Sequence, residues 1–109
     1  MKEIKDLKVH LKSIEKQPVA MRRTVMRTLS LMEIPANIAG LAFDKAFSLH
    51  ADLSETIAVK VFSMTVMTQV ALKESDLKRE VIIAIEEQLP YGSAGYRSRA
   101  VKMLKKLKK

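Results

Sequence analysis

The stretch that decides the fold is Asp52-Leu53-Ser54-Glu55-Thr56-Ile57-Ala58-Val59-Lys60-Val61-Phe62-Ser63-Met64-Thr65-Val66-Met67-Thr68-Gln69-Val70-Ala71-Leu72. Asp52 with Glu55 three residues on has the spacing of a capping box, which predicts a helix over about 53–72. Ile57, Val59, Val61, Phe62, Met64, Val66, Met67 and Val70 fall on nearly every side of that helix. A helix without a polar face has to be enclosed by other elements, so this one is expected at the middle of the molecule. Lys60, Ser63, Thr65, Thr68 and Gln69 interrupt it too often for a membrane span.

Working outward, each flank reads as further helices. Ile4, Leu7, Leu11 and Ile14 lie three and four residues apart over Glu3 to Lys16, the mark of one apolar face. Pro18 suits the first turn of a second helix, 18–32, because its missing N–H costs nothing there. Pro35 opens a third in the same way, through Ile38, Leu41, Ala42, Phe43, Ala46 and Phe47 to about Leu49. Beyond the central helix, Ser75 is placed to cap a fifth, 76–89, ended by Pro90. Val81-Ile82-Ile83 is the best strand candidate in the chain. The face Leu77, Val81, Ala84, Ile85 and Leu89 keeps it helical. After Tyr91-Gly92-Ser93, a sixth helix carries Tyr96, Ala100, Leu104 and Leu107 on one side and lysines on the other. Short connections between six helices predict antiparallel neighbours.

Composition agrees with a single all-α domain over 1–109. Hydrophobic residues make up 48% of the 109 and charged ones 29%, which supports a core and is wrong for a disordered chain. With no cysteine, disulfides and thiolate metal sites are excluded. The first sixteen residues mix five lysines with isolated apolar residues and lack the apolar run of a signal peptide. A cytoplasmic protein is therefore expected. The net charge of +8 is concentrated at the two ends of the chain, while 34–73 balances. Such a surplus favours polyanions in general and identifies none.

An internal period sharpens the reading. Met21-Arg22, Val59-Lys60 and Tyr96-Arg97 align at offsets of 38 and 37 residues. In register behind them come Val25, Ser63 and Ala100, then Met26, Met64 and Val101, then Leu29, Met67 and Leu104. The preceding helices correspond as well: Ile38 with Leu77, Ala42 with Val81, Ala46 with Ile85. A period of this length with two helices per unit is that of HEAT and armadillo solenoids. On Asp52, Ile57-Ala58-Val59-Lys60 and Met67, the chain resembles the HEAT-like family, most clearly over 52–104. It is also similar to uncharacterised bacterial HEAT-like proteins in its Arg-rich second helix, the Ile34-Pro35 opening and the Arg97-Ser98-Arg99 ending. Gln17-Pro18 and Gly92-Ser93 depart from the Asp that usually precedes the second helix of a unit. The resemblance implies a short right-handed stack with units at about 2–32, 34–72 and 75–107. It implies no chemistry.

No catalytic constellation is visible, and neither a cofactor nor a metal is expected. Neither His10 nor His50 has a second histidine at helical spacing, and both are expected at the surface or at a cap. Glu86 and Glu87 are adjacent and splay by about 100° around a helix, so they cannot act as a pair. Asp44 is expected to cap or pair with a neighbouring helix. A glycosylase on a HEAT-like stack would need aromatic side chains in its groove, and this chain has no Trp and few aromatics. Met21, Met26, Met32, Met64, Met67 and Met103 sit at core spacing.

Two basic features remain. If second helices lie side by side, Arg22, Lys60 and Arg97 form a ladder, with Arg23, Arg27, Arg99 and Lys102 nearby, and such a stripe could track phosphates. The start of the sixth helix, with Ser93, Gly95, Arg97 and Arg99, is a candidate anion site. Lys105, Lys106, Lys108 and Lys109 complete a cationic last helix, as a terminal repeat with a polar outer face would have. The expected function is a non-enzymatic interaction module binding a protein partner. A nucleic-acid module using the ladder is the alternative. The weakly apolar first helix also leaves room for self-association or a longer array.

Overall fold

Prolines and short polar connections divide the described residues into six α-helices: α1 Lys2–Lys12, α2 Val19–Ser30, α3 Ala36–Ala51, α4 Ile57–Lys73, α5 Lys78–Gln88 and α6 Ala94–Leu107. Single 3-10 turns at Ile14–Lys16, Ser75–Leu77 and Leu89–Tyr91 tighten three of the connections. The computed structural model describes residues 2–109, with side chains from Leu7 onward. No strand occurs among the described residues, and Val81-Ile82-Ile83 lies inside α5.

The helix starts depart from expectation in an instructive way. Thr56 rather than Asp52 caps α4, its hydroxyl accepting from Val59 N at 3.3 Å. Asp52 instead folds an Asx turn, accepting from Ser54 N at 2.9 Å and Ser54 Oγ at 2.7 Å. Glu55 leaves the capping box because a guanidinium reaches it from α2. The helix accordingly begins four residues later than the sequence suggests. Ser75 makes no side-chain cap, and a 3-10 turn leads into α5 instead. Ser93 does cap α6, its Oγ accepting from Tyr96 N at 3.1 Å.

Helix α4 packs against α2, α3, α5 and α6, while α1 adds to α2 and α3, and α5 to α6. Val59, Met64, Val66 and Met67 are fully enclosed, and Phe62 is half-buried. The aligned positions share their burial: Val25, Ser63 and Ala100 are all buried, as are Leu29, Met67 and Leu104. Ala42 with Val81 and Ala46 with Ile85 are likewise buried, whereas Leu77 is half-buried against a buried Ile38, and Met21 half-buried against buried Val59 and Tyr96. Val101 breaks the Met26–Met64 register and is exposed, since α6 rests on α4 and α5 and its far side meets solvent. The molecule measures 37 × 28 × 18 Å, a slab about two helix diameters thick. Its radius of gyration of 12.9 Å is that of a closely packed chain of this length. None of the described helices is long and apolar enough to cross a membrane.

Candidate functional site

α1 packs on α3, but α3 and α5 make no comparable contact. Between them a cleft of about 1200 Å³ opens beside the C-terminal half of α3. Phe47 and Ala51 line it from α3, and Ile57 and Lys60 from the start of α4. Helix α5 turns Glu80, Ile83, Ala84, Glu87 and Gln88 towards it, spacings of three and four that define one helical face. Around the mouth, Leu53 (86% exposed), Ile57 (55%), Ile83 (46%) and Tyr91 (89%) stand in water. Scattered exposed apolar side chains need no explanation, whereas four around one concavity make this cleft the candidate site. A smaller pocket of about 410 Å³ lies between the start of α3 and the end of α4, lined by Met32, Ile34, Val70 and Leu72.

The floor of the large cleft is polar. His50, expected at the surface or at a cap, is wholly buried there and stacks on Tyr96. Its Nε2 lies 2.7 Å from the Tyr96 hydroxyl. Gln88 Nε2 donates to the His50 carbonyl at 2.8 Å, and the same amide faces His50 Nδ1 at 3.5 Å. Imidazole nitrogen and phenol hydroxyl can each donate or accept, and the bond between them joins α3 to α6 whichever of the two donates. Burial, aided by the nearby Lys60 charge, lowers the His50 pKa to about 4, and burial raises Tyr96 to about 12. Both are therefore neutral at physiological pH. Lys60 Nζ donates to the carbonyls of His50 at 2.6 Å and Asp52 at 3.2 Å, and burial lowers its pKa. Gly92 makes this floor possible: a Cβ there would stand 2.5 Å from the Tyr96 ring.

The three aligned basic residues share a role inside the fold. Arg22 donates to the Gln17 carbonyl at 2.6 Å, Lys60 to those of His50 and Asp52, and Arg97 to that of Pro90 at 3.1 Å. Each ties its helix back to the connection before it, satisfying carbonyls that a helix end or turn leaves open. Arg22 also grips Glu55 with two bonds, at 2.7 and 3.1 Å, and the Glu55 carboxylate accepts from Thr56 N as well. Arg99 reaches across to Thr65 Oγ1 at 2.7 Å, linking α6 to α4. Arg23, Arg27 and Lys102 are exposed. At the start of α6, Ser93 Oγ is taken by the cap and Gly95 is exposed. Arg97 turns back to Pro90 while Arg99 turns to α4, so the two guanidinium groups part rather than converge. Asp44 is exposed and pairs with no described side chain.

Comparison with protein families, with curated proteins and with solved structures gives no match. The site is thus read from its own geometry. One signal for the cleft did lie in the sequence: Ile83 falls off the apolar face of α5 defined by Val81 and Ile85, which gives that helix a second apolar edge. Nothing in the sequence pairs His50 with Tyr96, 46 residues away.

Proposed function

We propose that this chain is a non-enzymatic interaction module: three antiparallel helix pairs in a short, right-handed HEAT-like stack that binds a protein partner. The enclosure of α4 between α2 and α6 and the matched burial at positions 37 to 38 residues apart support the stacked reading. So does the recurrence of one basic residue per pair that holds the preceding connection. The observation that carries the function is the open cleft between α3 and α5 with Leu53, Ile57, Ile83 and Tyr91 exposed around it. The floor is suited to holding a partner, because His50 is enclosed, with its Nε2 engaged by the Tyr96 hydroxyl.

The phosphate-tracking alternative draws less support. Arg22 and Lys60 direct their hydrogens inward, which leaves Arg23, Arg27, Arg97 and Lys102 to face solvent. A photo-crosslinking residue placed at Ile83 in native cells tests the cleft, with Val101 on the far side of α6 as control. A discrete protein adduct at Ile83 and none at Val101 is expected. Equal labelling at both positions, or none at Ile83, overturns the reading.

A further inference from the structure

We infer that the occupant of the α3–α5 cleft is a basic amphipathic helix, whose apolar side chains enter the cleft and whose Lys or Arg side chains meet Glu80 and Glu87. The inference rests on the protein-binding reading above and adds the chemistry of the partner. Glu80, Ile83, Ala84 and Glu87 follow one another at i, i+3, i+4 and i+7 along α5, all lining the cleft. Two carboxylates thus stand about 10 Å apart, two helical turns, with apolar surface between them. A partner helix with cations seven residues apart on the border of its apolar stripe has the same repeat.

The charge at this edge runs against the molecule as a whole. The chain carries +8, and Glu15, Glu33, Glu55 and Glu86 each pair with a cation. Glu80 and Glu87 pair with none of the described residues, although Lys78 and Arg79 stand on the same helix. Lys60, the cation lining the cleft, is directed at backbone carbonyls below. An acidic lip beside the apolar rim of Leu53, Ile57, Ile83 and Tyr91, on a cationic protein, selects a cationic and apolar occupant. At about 1200 Å³ the cleft exceeds the ~300–1,000 Å³ usual for small-molecule sites, and a helix fills it better than a metabolite.

The test uses two fluorescent helical peptides of about five turns with the same leucine stripe, one with lysine and one with glutamate on its remaining face. Binding to the full chain is followed by fluorescence anisotropy. The net charge of +8 steers the acidic peptide towards the protein, so a preference for the basic one has to arise locally. About tenfold tighter binding of the lysine peptide is expected, with the preference reversed in Glu80→Lys/Glu87→Lys. Ile83→Ser should weaken the lysine peptide as well. Tighter binding of the glutamate peptide to the unaltered chain, or a preference that the double variant leaves in place, overturns the inference. If Ile83→Ser still abolishes the tighter interaction, the cleft remains the docking site and only the partner's charge is wrong. Absence of any Ile83-dependent binding removes the inference, and the crosslinking result then decides the docking reading separately.

Discussion

Burying an imidazole among Tyr96, Gln88 and Lys60 links stability to pH. His50 ordinarily titrates near 6.5 and here is held at about 4, so between these values the unfolded chain binds more protons than the folded one. Stability is therefore fully present above about pH 6.5, falls as the pH drops towards 4, and loses no more from this group below that. The span corresponds to about 3 kcal/mol. Urea unfolding between pH 4 and 7 should show this slope, and His50→Gln should flatten it; an unchanged slope in the variant means that other groups carry it. The same scale separates two kinds of ion pair. Glu55 is almost entirely enclosed with two bonds to Arg22, so Glu55→Ala should cost about 3 kcal/mol. Lys73→Ala removes a solvent-exposed pair with Glu33 and should leave the unfolding midpoint in place. Equal effects in the two variants would contradict the burial of the first pair. Neither role was legible in the sequence, because burial of His50 and Glu55 depends on residues 46 and 33 positions away.

At the scale of the element, apolar periodicity and proline located all six helices, and side-chain capping was the less readable part. Asp52 and Glu55 have the capping-box spacing, yet both are drawn into other bonds and Thr56 takes over. Local patterns list the candidates for a cap, and competition from distant groups selects among them. The glycines before α6 divide in the same way. Gly92 lies against the Tyr96 ring and Gly95 faces open space, although the two sit three residues apart in one small-residue run. Gly92→Ala should displace Tyr96 from His50 and cost about 1–3 kcal/mol. Gly95→Ala should raise stability by about 0.5 kcal/mol through helix propensity. Thermal unfolding of the two variants checks both signs, and a stabilising Gly92→Ala would contradict the packing of the cleft floor.

For the whole molecule, α3 and α5 touch where Gln88 meets His50 and otherwise stand apart, and that gap divides the side chains that hold the fold from those that line the cleft. Val81 and Ile85 on α5 face the core, whereas Ile83 faces the cleft. Val81→Ala should cost about 2 kcal/mol or more, while Ile83→Ser should stay within about 0.5 kcal/mol and act on partner binding alone. A large loss of stability in Ile83→Ser would mean that the cleft is closed in solution. The sequence by itself determined the helical class, the number of helices, the enclosure of α4 and the alignment of Arg22, Lys60 and Arg97. These follow from residue periodicity, which is local and repeats along the chain. Which way those basic side chains point, where the gap between α3 and α5 opens, and which histidine is buried were decided only by tertiary structure. Each depends on what lies across from a residue, and a linear pattern holds no record of that.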